Sequence, residues 1–266
     1  MARSFAISAS KMRMRSIRIL TPTALALIGL WGTADSARGD FRVKYPDAEP
    51  GEFEIENIGS YGQDFRKAFN GEQSHTLEFE YGVNNFWKPE LEFEFARAPG
   101  SGNKTIFNQI TLENVFQFTE RGQYWIDAGW FAEFGKAMIG HTPNETTFGP
   151  IFRKEISGTV NTVNLFIEKD LGRYSGGRPS FQYAWETRIA LGTVIEPGFQ
   201  AYGQPGPVGH FAPIGEQDHR LGPQLFADWH QLGPGTLHMN GGLLFGMTPA
   251  APRRTLRWQL EYELHF

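Results

Sequence analysis

Residues Thr255 to Phe266 read T-L-R-W-Q-L-E-Y-E-L-H-F, and their pattern decides the fold. Leu256, Trp258, Leu260, Tyr262, Leu264 and Phe266 alternate without exception with Arg257, Gln259, Glu261, Glu263 and His265. A period of two sends one set to each side of a β-sheet. One face is large and apolar and the other is charged or amide-bearing. A half-buried soluble strand is compatible with this pattern. A membrane barrel strand requires it, with apolar residues toward lipid and polar residues toward the lumen over about ten residues.

The same alternation recurs upstream. Segments with two-residue periodicity are expected at Glu52 to Tyr61, Ser74 to Val83, Phe86 to Arg97, Thr105 to Thr119, Tyr124 to Phe134, Thr147 to Ile156, Val160 to Asp170, Ser180 to Leu191, Val194 to Tyr202, His219 to His230 and Thr236 to Gly246. With the closing strand they make about twelve. Pro150 and the out-of-phase Lys154 weaken the sixth, and Pro197 and Gly198 weaken the ninth. Connections alternate in length. Asn84-Asn85, 120–123, Ser157-Gly158-Thr159, Gly192-Thr193 and 231–235 are short, whereas 62–73, 98–104, 135–146, 171–179, 203–218 and 247–254 are mostly longer. Tight turns at one end and longer loops at the other are the grammar of a transmembrane barrel. The expected fold is therefore all-β: a closed antiparallel transmembrane barrel spanning 52–266, with both of its ends on the periplasmic side.

Composition fits this reading. The 266 residues are 40% hydrophobic and 14% aromatic, with 23 Phe and 31 Gly, and there is no Cys. A barrel hides its apolar residues at alternate positions, so a modest average does not exclude a membrane. The lack of Cys excludes a disulfide framework, a thiolate nucleophile and Cys-ligated metal. Lys11, Arg13, Arg15 and Arg18 precede an apolar run from Ile19 to Trp31 and then small residues, which reads as a secretory signal peptide over 1–34, cut at about 34–37. The Pro-containing stretch 35–51 is expected as a periplasmic lead-in. Removing 1–34 takes away Arg3, Lys11, Arg13, Arg15 and Arg18, leaving 20 basic against 29 acidic side chains, a formal charge of −9. That balance speaks against a nucleic-acid partner.

Two resemblances sharpen the expectation. The closing strand, with Trp258, Leu260, Tyr262, Leu264 and terminal Phe266, resembles the C-terminal signal that barrel-assembly machinery reads in bacterial outer-membrane barrels. Phe148-Gly149-Pro150-Ile151, the stretch Leu165 to Asp170, Glu196 to Gly203, His219 to Pro223 and Leu244 to Thr248 are together similar to proteobacterial porins of the meta-pathway phenol-degradation type. The resemblance covers about residues 50–266. It implies localisation in the bacterial outer membrane, lipid and assembly machinery as partners, and a channel or uptake porin for small solutes. Cations or small hydrophobic and aromatic compounds are the candidate solutes. It transfers no catalytic residue and no cofactor.

The residues themselves suggest one site. Glu54 and Glu56, Glu78 and Glu80, and Glu90, Glu92 and Glu94 fall on the non-lipid faces of three successive strands. Strands lie about 4.8 Å apart and alternate residues about 6.5–7 Å apart. These side chains should form an acidic wall in the lumen. Two readings stay open: a cation-attracting surface, or a network neutralised by Arg97, Arg153, Arg188 and Arg257. A metal site is the less favoured use of the carboxylates, and none is assigned. No His pair has zinc-hydrolase spacing, and no Gly-x-Ser-x-Gly occurs. His75 follows Ser74, but neighbours in a strand point to opposite faces. A lipid hydrolase and a plugged structural barrel remain the alternatives to a channel.

Overall fold

The computed structural model describes residues 41–100 and 102–266. The expected signal peptide lies outside the described residues. Twelve strands follow one another: β1 (Glu52–Gln63), β2 (Gln73–Tyr81), β3 (Trp87–Arg97), β4 (Ile106–Gln117), β5 (Asp127–Ala137), β6 (Asn144–Ile156), β7 (Thr159–Leu171), β8 (Ser180–Ile189), β9 (Ile195–Pro207), β10 (Asp218–Leu232), β11 (Gly235–Gly246) and β12 (Arg254–His265). Each pairs antiparallel with its sequence neighbours, and β1 pairs with β12 to close the barrel. Closure runs from Glu52↔His265 to Gln63↔Arg254 and leaves no free edge.

The pleat sorts the side chains as the periodicity requires. Leu112, Phe199, Leu225, Leu256 and Leu260 are among the apolar residues exposed on the outer surface. Glu56, Glu78, Thr162, Gln200, Gln224 and Arg257, in the opposite phase, are buried in the interior. A closed barrel with an apolar outside and a polar inside is built to sit in lipid, because every strand's backbone is satisfied by a neighbour. Lys154 is on the outer face, as its phase dictates. Its Nζ lies 5.3 Å from the centre of the Trp125 ring in the β4–β5 connection, so the charge reaches the end of the barrel rather than mid-membrane.

Connection lengths follow the expected alternation with one exception. Ser157-Gly158 joins β6 to β7 with φ of 48° and 83°, the left-handed pair that a two-residue hairpin demands. The β4–β5 connection, by contrast, occupies 118–126, and Tyr124 and Trp125 are exposed within it rather than at the start of β5. Asp127 Oδ1 accepts the Gly122 N–H at 2.7 Å, which folds this turn on itself before the ladder begins at Gln117↔Gly129.

The interior holds two apolar clusters. Val115, Phe131, Ile151 and Phe166 form one on the wall of β4 to β7, where the Phe131 and Phe166 rings stack at 4.9 Å. The other joins Ala184, Tyr202 and Leu244 to Phe41 and Val43, which belong to no strand. Residues 41–48, expected as part of a lead-in outside the barrel, lie inside it.

Candidate functional site

The segment Phe41-Arg42-Val43-Lys44-Tyr45-Pro46-Asp47-Ala48 alternates apolar and charged groups over its first five residues. It enters from the short-turn end. There Gly51 donates to Gly82 O at 2.8 Å, Phe266 N donates to Gly51 O at 3.0 Å, and Gly82 leaves room for the Glu49 carbonyl, which would lie 1.7 Å from any Cβ at that position. Pro46 packs on Gly129 of β5, where a Cβ would stand 2.8 Å from the proline's own. Just outside, burial and neighbouring Glu52 push the Glu49 carboxyl above its ordinary pKa.

Arg42 and Lys44 project into the acidic wall. Arg42 Nη2 donates to Glu113 Oε1 at 2.8 Å and Oε2 at 2.7 Å, and to Glu92 at 3.2 Å. Its Nη1 contacts Glu78 and lies 3.6 Å from Glu56. Lys44 Nζ lies 3.1 Å from Glu78, contacts Glu90 and Glu113, and sits 5.2 Å from the centre of the Phe131 ring. Lys88, inward on β3, reaches Glu80 at 2.5 Å and Glu54 at 3.4 Å. Oxygens of Glu78, Glu92 and Glu113 converge closely enough to hold a metal ion, but the two tethered cations stand among them.

Asn164, Tyr202, Arg257 and Gln117 hold the segment's backbone. Asn164 is fully buried on β7. Its Oδ1 accepts the Lys44 N–H, and its Nδ2 donates to the Lys44 carbonyl, both at 2.8 Å. Tyr202 Oη and Arg257 Nε donate to the Phe41 carbonyl at 2.9 and 2.6 Å. Gln117 Oε1 accepts the Ala48 N–H at 2.6 Å. The Phe41 ring meets Tyr202 edge-on at 5.3 Å, and the Arg220 guanidinium lies 4.5 Å from its centre. Tyr45 donates to Glu186 at 2.7 Å, and Asp47 pairs with Arg153 at 2.8 Å.

The segment stands between two cavities. Toward the long loops one of about 140 Å³ is lined by Phe41, Glu94, Asn108, Glu133, Glu168 and Arg220. Toward the short turns one of about 790 Å³ is lined by Tyr45, Asp47, Lys88, Glu196, His238 and Glu261. Arg42 and Lys44 border both.

Each residue singled out from sequence now has a place. Glu54, Glu56, Glu78, Glu80, Glu90 and Glu92 form a buried wall. Glu94 lies nearer the loops and accepts from Thr111 at 2.9 Å. The arginines do not serve the wall as expected. Arg153 meets Asp47, Arg188 meets Glu196 and Asp228, and Arg257 meets the Phe41 carbonyl and Gln259. Arg97 shares the phase of Phe93 and Phe95 rather than that of Glu92, and its Nε donates to Gly71 O at 2.8 Å in the β1–β2 connection. Neutralisation comes instead from Arg42, Lys44 and Lys88, with Glu113 as a further acid. His75 lies tilted against Trp258 with ring centres 5.6 Å apart on the outer face, away from the inward Ser74, whose Oγ lies 2.7 Å from that of Ser60. Of the closing-strand residues, Phe266 is 88% exposed, with its ring 6.4 Å from that of Phe53.

These features define a closed, membrane-type β-barrel whose lumen is occupied by its own chain. No protein-family model and no curated protein matches the sequence. Among solved structures the chain is similar to CdiB from Escherichia coli, at 8% identity over 83% of this chain and 63% of that one, with a TM-score of 0.43. It is also similar to an anion-selective porin from Comamonas acidovorans, at 11% identity over 81% and 98% of the two chains, with a TM-score of 0.34. A third is OccK11 of Pseudomonas aeruginosa, at 10% identity over 85% and 100%, with a TM-score of 0.28. The chain thus spans under two thirds of the length of CdiB.

Proposed function

We propose that the protein is an outer-membrane channel for small solutes, closed at rest by its own segment 41–48. One observation carries this reading. The segment crosses the lumen between two cavities without pairing as a strand, held by side chains of the wall. A strand of the barrel cannot leave without opening the ladder. A segment held by side chains can move as a unit, in the manner of an internal gate. When it moves, Arg42 and Lys44 go with it and the acidic wall faces water with Lys88 as its nearest cation. The open lumen would then favour cations, because carboxylates in a confined aqueous passage act through a lower effective dielectric than bulk water.

The test is planar-bilayer recording of the refolded full chain beside Arg42→Glu/Lys44→Glu, which replaces attraction to the wall by repulsion. The native chain is expected to open rarely and the variant to conduct steadily, with a reversal potential on the cation side. A variant that folds as a heat-modifiable barrel yet conducts no better than the native chain would leave a plugged structural barrel as the better account. That second reading is favoured by the thorough burial of Arg42 and Lys44.

A further inference from the structure

The groups that hold residues 41–48 all belong to barrel strands, and they remain in place when the segment leaves. Together they recognise an extended peptide. Asn164 gives one residue both an acceptor and a donor, as a neighbouring β-strand would. Tyr202 and Arg257 take the carbonyl three residues earlier, and Gln117 takes the N–H four residues later. The side-chain pockets alternate in the same way. Tyr202 and Arg220 flank an aromatic ring, Glu56, Glu78, Glu92 and Glu113 receive a guanidinium, Glu90 and Glu113 receive an ammonium, and Glu186 receives a phenol. In an extended chain alternate side chains lie about 6.5–7 Å apart, the repeat of the acidic strands themselves. Main-chain hydrogen bonds supply affinity and alternate-side-chain pockets supply specificity, the logic by which sheet edges bind peptides.

We propose that the lumen is a binding site for an extended basic peptide of the pattern aromatic–basic–apolar–basic–aromatic, which takes the place of residues 41–45 from outside the chain. This deepens the channel reading and rests on one premise of it, that the tethered segment is displaceable. A simple polyamine would satisfy the carboxylates but would leave both polar atoms of the buried Asn164 side chain without their backbone partners. Buried polar groups without partners are costly, so the peptide is the preferred ligand.

The probe is fluorescein-labelled Phe-Arg-Val-Lys-Tyr, read by anisotropy against the full-length Arg42→Glu/Lys44→Glu barrel. Heat-modifiable migration checks the fold, and Arg42→Gln/Lys44→Gln stands in if the reversal does not fold. Saturable binding is expected, weakened about tenfold by Asn164→Leu, which removes both backbone hydrogen bonds. A peptide of the same composition with its two basic residues adjacent should bind at least about tenfold more weakly, because one side chain then points away from the acids. Absence of saturable binding, equal binding of the rearranged peptide, or displacement by spermidine at concentrations equal to the peptide's would overturn the proposal. The readout needs no current. Conductance without peptide binding would defeat this inference and leave the channel standing. Binding without conductance would defeat the channel and leave the peptide site.

Discussion

Arg42 Nη2 lies 2.8 and 2.7 Å from the two carboxylate oxygens of Glu113, 71 residues away on β4. The pair ties a segment with no strand partner to the buried inner face of β4. Both residues are buried. Two buried charges repay their desolvation only when geometry and additional hydrogen bonds are good, and removing one partner typically costs about 3–5 kcal/mol. On the gating we propose, the cost has an escape, because departure of the segment admits water to the carboxylates.

That escape is measurable by thiol labelling. The chain has no Cys, so Val43→Cys introduces a unique thiol at a position that is 3% exposed. In an otherwise native barrel a water-soluble maleimide should label it slowly. Adding Arg42→Glu should raise the labelling rate on the order of tenfold or more, matching a loss of about 1.4 kcal/mol or more in closing the segment. Equal rates in the two backgrounds would mean that Arg42 does not hold the segment in place.

Selectivity should depend on where the segment is. Glu80→Gln/Glu92→Gln keeps shape and removes two carboxylates from the wall. In the Arg42→Glu/Lys44→Glu background the double change should move the reversal potential in a salt gradient toward zero. The effect should be larger at 0.1 M than at 1 M salt, since the Debye length falls from about 10 Å to about 3 Å. An unchanged reversal potential would show that these carboxylates do not face the conducting path.

Much of the barrel was legible because lipid and lumen impose opposite demands on alternate residues. The run Leu256 to Phe266 and the alternating acids of β1 to β3 could hardly satisfy both demands in another register. Arg97 shows how strictly this holds, since its odd number beside Phe93 and Phe95 already sends it out of the lumen. The occupant of the lumen was harder to see. Phe41-Arg42-Val43-Lys44-Tyr45 has the right alternation, with basic residues at the spacing of the acids they meet. It is only five residues long, however, and Pro46 follows it, so it resembles a linker as much as a strand. Its partner is a wall of side chains rather than a backbone edge, and no periodicity in β1 to β4 announces that. Pairing Glu113 with Arg42 required the closed barrel, because only closure brings β4, β7 and β12 around one point.

The exposed ring of Phe266 matters in a different way. Phe266 is highly exposed beside Phe53 at the short-turn end, where aromatic rings anchor a barrel at the membrane interface. Phe266→Asp should reduce the amount of assembled barrel several-fold, whereas a change at exposed Lys104 should not. Heat-modifiable protein recovered from membranes provides the measure, and normal accumulation of Phe266→Asp would remove this ring from any part in assembly.

At the loop end Asp64 clasps two connections. Its Oδ1 accepts from Arg66 N at 2.7 Å and Nε at 3.0 Å, and its Oδ2 from Arg66 Nη2 at 2.6 Å and Arg253 N at 2.8 Å. Arg66 in turn donates to the carbonyls of Pro249 and Ala251 at 2.5 and 2.8 Å, so the β1–β2 and β11–β12 connections are joined. The side-chain hydrogen bonds from Arg66 hold the Asp64 carboxyl well below the usual carboxylate range, with backbone donors from Arg66 and Arg253 adding to the effect. A depressed folded pKa contributes stability that is fully present above the unfolded value, about 3.9, and is lost as pH falls through the folded value. Hydrogen exchange at the Arg253 amide, corrected for its intrinsic rate, should therefore show constant protection from about pH 7 to about pH 5. Protection should decline only below about pH 4. Asp64→Asn removes the charge and should give the acid-loosened level of protection already at neutral pH. Loss of protection between pH 7 and 5 in the native chain, or full protection in Asp64→Asn, would show that another contact closes this end of the barrel.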